Sequence, residues 1–264
     1  MPRKCAGPSS DVSGGSRPAT IVPVHDQIPC AIETKCSTIA STIWNSVFMR
    51  HAVVTNMDRL EIPTCTLCSG GDGIVIWLHA ISGKLLHMSC GSVRVVFDIK
   101  FGCEIDDACV RFIKLANPSC VIFKDLRQLQ QPGMADVHGG PRRQIPRCKL
   151  VITGFYCGGF SMLNSGNWNP DDIEDQDTLS GLTFSWMIAY ITWCGCEMSI
   201  NENTDAIAKW LLRADGTRRR PVDDIAEVYR ENGFLANWRL ADALDYGAVC
   251  TLGGSLTVGL SFNS

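Results

Sequence analysis

From residue 64 onward, short apolar runs alternate with helix-length amphipathic stretches. The runs TCTLC (64–68), RVVFDIKFGCE (94–104), CVIFK (120–124), KLVIT (149–153) and MSIN (198–201) have the length and residue types of buried strands. Between them, GIVIWLHAISGKLL (73–86), DDACVRFIKLAN (106–117), the uncharged stretch 178–194 and DAIAKWLLRA (205–214) predict helices. This alternation predicts a doubly wound, Rossmann-like α/β fold, a mostly parallel sheet with helices on both faces, whose ligands bind at the carboxyl ends of the strands. FLANWRLADALDYG (234–247) and SLTVGLSF (255–262) predict two closing strands, antiparallel to one another. Upstream, Ile39, Ile43, Trp44, Val47 and Phe48 recur at helical spacing, so residues 36–50 are expected to form an amphipathic helix leading into the domain. Residues 1–24 are rich in Pro, Ser and Gly, which places a flexible arm at 1–35 and one domain at 36–264.

Composition narrows the class. With 264 residues, 45% of them hydrophobic and 19% charged, the chain can bury a core, which excludes a disordered tail or a small disulfide scaffold. Lys+Arg 24 against Asp+Glu 27 gives a net charge of −3, so any contact with nucleic acid must come from local basic patches. Cys65, Cys103, Cys109, Cys120 and Cys250, among 14 cysteines, fall in apolar runs, where reduced thiols act as small buried hydrophobes. The opening MPRKCAGPSS has no signal-peptide core, and the expected setting is intracellular and reducing, nuclear in a eukaryote. Residues 178–196 carry no formal charge, but three Thr, two Ser and two Gly mark a helix buried against the sheet rather than a membrane span.

The strand tips carry the candidate chemistry. CSGGDG (68–73) is a Gly-rich turn opening a helix, a site where backbone can approach a ligand closely. The next strand ends in CEID, placing Glu104 where an acid can accept two ribose hydroxyls, and the third ends in FKD, placing Asp125 where an acid can accept from an adenine amino group. That ordered set suits an adenosine-type cofactor. The fourth strand runs into GFYCGGFS, which puts Cys157 on a Gly-rich loop at the same edge.

The series CSGGDG, CEID, FKD, GFYCGGFS, INEN and ALDYG, in this order over residues 64–260, resembles the cytosine-5 methyltransferases that act on DNA. The resemblance implies a class I S-adenosylmethionine-dependent methyltransferase fold, with S-adenosylmethionine as cofactor and DNA as partner. Ser69, Gly70, Gly71 and Gly73 would hold the methionine part of the cofactor, Glu104 and Ile105 the ribose side, and Asp125 and Leu126 the adenine. Cys157 matches the nucleophile of the family's Pro-Cys-Gln loop, and Glu202 with Asn203 match its Glu-Asn-Val motif. In that chemistry a thiolate adds to C6 of cytosine while an acid engages N3, and C5 becomes able to attack a methyl donor. Base flipping would expose the target.

Departures accompany the matches. Tyr156 and Gly158 stand where the family has Pro and Gln beside the nucleophile. Cys250, Thr251 and Leu252 stand where a Gln-Arg-Arg element follows ALDYG. The family pattern continues beyond this point into a target-recognition region and a final helix, so a partner protein is a candidate for target recognition. WNSV (44–47) resembles the Asn-Ser-Val element of a final helix moved to the front in permuted members, although an ordinary packing helix reads the same letters. A non-catalytic relative binding the cofactor or a partner, and a methyltransferase acting on transfer RNA, are the alternatives.

Two basic clusters could meet phosphate or be solvated surface: Arg142, Arg143 and Arg147 in the long loop before the Cys157 strand, and Arg218 to Arg220. Cys65 and Cys68 have metal-ligand spacing but no second pair, and none of His25, His51, His79, His87 and His138 is paired at ligand spacing, so no metal is expected. Trp186, Trp193 and Trp210 lie in apolar stretches and are expected in the core.

Overall fold

In a computed structural model of the chain, residue 40 and residues 57–70, 74–158, 177–213, 215–242 and 253–261 are described. The elements run β1 (Arg59–Leu67), α1 (Ile74–Met88), β2 (Arg94–Cys103), α2 (Asp107–Ala116), β3 (Ile122–Phe123), β4 (Met134–Val137), β5 (Gly140–Gln144), β6 (Leu150–Thr153), α3 (Leu179–Cys194), β7 (Met198–Thr204), β8 (Leu211–Leu212), β9 (Arg218–Arg219), α4 (Pro221–Glu231), β10 (Phe234–Asp242) and β11 (Gly253–Ser261). One sheet has the order β10-β11-β7-β6-β1-β2-β3-β4-β5, and β8 and β9 pair separately. The central strands β3, β2, β1, β6 and β7 are parallel; β11 is antiparallel to both β7 and β10, and β4 and β5 extend the other end antiparallel. This is the doubly wound, Rossmann-like α/β fold. Successive strands go outward from β1 to β3, and the chain then returns to lay β6 on the other side of β1. The gap between β1 and β6 is therefore the topological switch point, where such sheets bind ligands.

The strand pleat creates two cores, and in β2 an irregularity at Lys100, opposite Thr64 and Cys65, switches the face that the odd-numbered residues present. Ile62, Val95, Phe97, Leu150 and Ile152 face one way and pack with Leu78, Ile81 and Leu85 of α1. Cys65, Leu67, Phe101, Cys103 and Val151 face the other and pack with Phe184, Met187, Tyr190 and Ile191 of α3 and with Ile225 and Tyr229 of α4. Tyr229 also ties α4 to β7: its hydroxyl lies 3.0 Å from Ser199 Oγ and donates to Asn201 Oδ1 at 2.9 Å.

Helix α3 is the uncharged stretch. Thr178 caps its start by accepting from the Gly181 N–H at 3.1 Å, and Gly195, at φ 67°, ends it while Cys196 N donates to Ile191 O. It lies against the sheet, and among the described residues no helix is long and apolar enough to cross a membrane. Cys65, Cys103 and Cys120 are buried as expected, whereas Cys109 is half-buried. Cys250 and the arm at 1–35 lie outside the described residues, as does the 36–50 helix except for Ala40, which is helical and fully buried in the α1-side core.

Three expectations are corrected. Residues 205–214 do not form a helix: Asp205–Ala208 makes one 3-10 turn, after which the chain extends into β8 and pairs with β9. Ala206 and Ile207 are buried in the core and Ala208 packs against it, and beyond them cross-strand pairing overrides the helical spacing. Trp210 is accordingly 60% exposed and outside the core, whereas Trp186 and Trp193 pack against it. The loop carrying Arg142 and Arg143 is the β4–β5 hairpin, with β5 the outer edge strand and every residue of it exposed. The closing strands β10 and β11 are antiparallel, as expected.

Candidate functional site

The carboxyl ends of the central strands are tied into one level edge. Beyond the strands, the Glu104 N–H donates to Phe123 O at 3.1 Å, Cys68 N–H to Cys103 O at 2.8 Å and Gly154 N–H to Leu67 O at 3.0 Å. These bonds hold the exits of β3, β2, β1 and β6 side by side. A Cβ added to Gly154 would sit 3.1 Å from the Cys68 carbonyl oxygen, so glycine lets the β1 and β6 exits approach this closely.

After β1 the chain turns through Cys68 at φ 52° and Gly70 at φ 60°, both left-handed. Gly71 and Gly73 lie outside the described residues. Gly70 N–H donates to Glu104 Oε2 at 3.2 Å, while Glu104 Oε1 accepts from the N–H groups of Ile105 (2.8 Å) and Asp106 (3.0 Å). A buried carboxylate thus ties the β1 turn to the β2 turn. Its two oxygens offer about four acceptor positions, and the described residues fill three of them, leaving one for a ligand hydroxyl. Next to it Ile105 is 75% exposed, an apolar shelf at the strand tip. Burial, with the nearby Glu104 and Asp125 carboxylates, pushes the Cys68 thiol up to about 12.

Asp125 occupies the β3 tip, but its carboxylate is engaged locally. It accepts from the Arg127 N–H at 2.9 Å, capping the 3-10 turn Leu126–Leu129, and it takes the Arg127 guanidinium on both oxygens. The Arg127 contact holds its pKa below the usual carboxylate range. An adenine amino group could reach Asp125 only with Arg127, which is exposed, swung aside. Leu126 is buried in the α3-side core, so its side chain faces away from the edge. His138, from the turn between β4 and β5, is a neighbour that spacing alone did not single out: its Nε2 lies 2.9 Å from the Glu104 carbonyl oxygen.

On the other side of the switch point, β6 leads into Gly154, Phe155, Tyr156 and Cys157, and β7 ends beside it with Glu202 and Asn203. These two residues face opposite sides of the strand. Asn203 is buried; its Nδ2 donates to Phe155 O at 3.2 Å, which braces the loop two residues before Cys157. Phe155 packs on Phe184 of α3 with ring centroids 5.3 Å apart. Glu202 turns toward β6, its Oε2 only 3.4 Å from where a Cβ on Gly154 would stand. It is open to solvent but crowded by the strand ends, and the lost solvation raises its pKa. The half-buried Cys157 thiol is raised first by burial and then by the Glu202 carboxylate. Glu202 at the end of β7 thus lies near enough to the β6 exit to act on Cys157 electrostatically. Tyr156 lies over Gly158, where any Cβ would overlap its phenol ring.

The basic residues are spread out. Arg142 pairs with Asp136 (3.4 Å) and donates to the Met134 carbonyl, and Arg143 lies on the same edge strand, five strands from β6, about 24 Å at ordinary strand spacing. Arg147 stacks on Trp193 at 5.3 Å. Among the described residues no cluster of three or more His, Cys, Asp or Glu side chains is arranged to hold a metal ion.

No protein family matches the chain by sequence, and no curated protein does so. Structural comparison aligns it with the S. pombe Dnmt2 methyltransferase at a TM-score of 0.45 and 10% identity, over 78% of this chain and 51% of that one. It aligns also with the Entamoeba histolytica methyltransferase EhMeth at 0.48 and 11%, over 77% and 54%. A mutant of Spodoptera frugiperda DNMT2 gives 0.48 and 15%, over 76% and 50%. The chain thus spans about half the length of each of these structures.

Proposed function

We propose that the chain is an S-adenosylmethionine-dependent methyltransferase acting at C5 of cytosine in DNA, with RNA as the alternative acceptor. The observation that carries this reading is the placement of Cys157 and Glu202 at the adjacent ends of β6 and β7, beside the switch point, with Glu202 Oε2 3.4 Å from where a Cβ on Gly154 would stand. The chemistry needs a thiol and a proton-bearing carboxyl within reach of one ring, and the solvation that Glu202 loses among the strand ends favours its protonated form.

For the cofactor, the residues fit in part. Glu104 retains an acceptor position for a ribose hydroxyl, Ile105 offers the exposed apolar surface that an adenine ring covers, and the Ser69–Gly70 turn brings backbone to the edge. When bound, S-adenosylmethionine supplies the electrophilic methyl carbon. The protein's own part is then as follows. Cys157 gives its proton to solvent water and Sγ bonds to C6; the C5–C6 π pair shifts to lie between C5 and C4, and the C4–N3 π pair takes the proton that Glu202 gives to N3. Once C5 carries the methyl group, its proton passes to water, the pair left behind re-forms the C5–C6 double bond, Sγ departs from C6 with the bonding electrons, and N3 returns its proton to Glu202. Asn203 keeps the loop in place through Phe155 O.

The test is transfer of a labelled methyl group from S-adenosylmethionine to cytosine-containing DNA and RNA oligonucleotides. Label should reach one of the two, and Cys157→Ser or Glu202→Gln should cut the rate by about 10²–10⁴-fold. Full transfer by Cys157→Ser would exclude this mechanism.

A further inference from the structure

The β8–β9 hairpin follows β7 directly and has no part in the chemistry above, yet it is firmly built. Asp224 of α4, buried, holds Arg213 just after β8 and Arg219 of β9 at once, with Arg219 at 2.7 Å. The same Arg219 reaches Glu227 at 2.7 Å. At the start of α4, Asp223 accepts from Arg220 Nε at 2.6 Å and from Trp238 Nε1 at 3.1 Å. Arg220 is thereby fixed between two indoles, with its guanidinium carbon 4.8 Å from the centre of Trp210 and 4.7 Å from that of Trp238.

The result is an ordered stack of ring, cation and ring whose outer member, Trp210, is 60% exposed. Leu212, on the same face of β8, is 64% exposed, and Arg218 is paired with it in register on β9. Arg218 is exposed and makes no ion pair among the described residues. The stack stands at the carboxyl end of the sheet. β10 runs parallel to β7 through β11, which puts Trp238 level with Asn201 by way of Thr257, and Leu240 level with Asn203 by way of Ser255. Trp210 is eight residues beyond Glu202, at most about 28 Å along a fully extended chain.

We propose that Trp210, backed by Arg220, is a base-stacking platform for a single-stranded stretch of nucleic acid leading to the β6 and β7 ends that carry Cys157 and Glu202, with Arg218 meeting a backbone phosphate. The proposal rests on the methyltransferase reading for the identity of the polymer. Indole faces stack any base, and a fixed cation behind the ring removes the entropy of ordering the platform when the base arrives. Lys209 pairs with Asp205, Arg213 and Arg219 with Asp224, and Arg220 with Asp223, which leaves the exposed Arg218 as the cation beside the exposed indole that has no ion pair among the described residues. An exposed ring with one such arginine next to it matches the base and phosphate of a single nucleotide unit.

The experiment measures binding of a fluorescently labelled single-stranded DNA of about 12 nucleotides, within the usual site size of such surfaces, to the full chain across a salt series. Trp210→Ala should weaken binding by about fivefold to 150-fold, and Trp210→Phe should restore most of it. Arg218→Ala should weaken binding and lower the salt slope by about one. Leu115→Ala, which removes another exposed apolar side chain on α2, should leave affinity unchanged. Unchanged binding by Trp210→Ala, with or without altered self-association, would overturn the proposal. A protein that shows Trp210-dependent binding but transfers no methyl group would keep the platform and lose the methyltransferase reading. Methyl transfer with Trp210-independent binding would do the reverse.

Discussion

The Glu202 carboxylate bears directly on the Cys157 thiol: after burial, it is the largest influence that keeps the sulfur protonated. Glu202 is itself raised by burial alone. The pair is arranged so that a proton on the carboxyl removes the charge that opposes the thiolate. While Glu202 is ionised it has no proton for a ring nitrogen and its charge opposes the thiolate, so the protonated carboxyl favours both steps.

Replacing the charge tests this coupling. In Glu202→Gln the like charge is gone, so the Cys157 pKa should fall toward its ordinary value, and alkylation by iodoacetamide at neutral pH should quicken. A drop of one unit gives about tenfold more thiolate. The stability profile should change as well. Because the folded-state pKa of Glu202 is raised, its contribution is fully present below the unfolded-state pKa and is lost as pH rises through the folded-state value. Chemical denaturation should show this loss above the ordinary carboxylate range in the wild type and its absence in the variant. An unchanged alkylation profile would mean that the two groups do not interact.

Tyr156 and Gly158 form a sterically matched pair, since the ring fills the volume a side chain at 158 would need. Gly158→Ala should push the half-exposed Tyr156 ring outward at a cost in stability of less than about 1 kcal/mol. Cys157 should then alkylate faster. Tyr156→Ala should have the same effect on Cys157, and the double variant should add nothing further.

Gly154 is different, because its close neighbour is backbone. Gly154→Ala would force the new methyl to 3.1 Å from the Cys68 carbonyl and 3.4 Å from Glu202 Oε2. The β1 and β6 exits would have to part. A loss of about 1–3 kcal/mol in urea unfolding, with weaker S-adenosylmethionine binding, is expected.

Asp224 anchors the hairpin through two arginines. Asp224→Ala removes the buried carboxylate that holds both Arg213 and Arg219 and should cost about 3–5 kcal/mol. Asp224→Asn keeps the shape and should recover part of that loss by the same denaturation measurement.

The central strands and the helices between them were legible because burial on both faces leaves unbroken apolar runs. The β4–β5 hairpin was not, because every position of β5 is exposed and no apolar alternation marks it. Helix α4 carries signals legible in the sequence: Pro221 at its start, Asp223 and Asp224 in its first turn, and Val222, Ile225, Ala226 and Tyr229 on one face. In 205–214 the apolar spacing was helical, but exposed Trp210 and Leu212 form part of a surface. Within the site, the strand tips holding Glu104, Asp125, Cys157 and Glu202 followed from element order. The commitment of Asp125 to Arg127, the three N–H groups on Glu104 and the Tyr156 ring over Gly158 depend on side-chain placement that no spacing encodes.

The most direct measurement is intact mass after incubation with S-adenosylmethionine and 5-fluorocytosine oligonucleotides, DNA and RNA in parallel, beside Cys157→Ser. Fluorine at C5 blocks proton loss, so a protein using Cys157 at C6 stays bonded to its substrate. The account predicts a mass increase equal to one methylated oligonucleotide strand, with one of the two polymers, that is absent in Cys157→Ser. No adduct with either polymer, from protein that still binds S-adenosylmethionine, would contradict it.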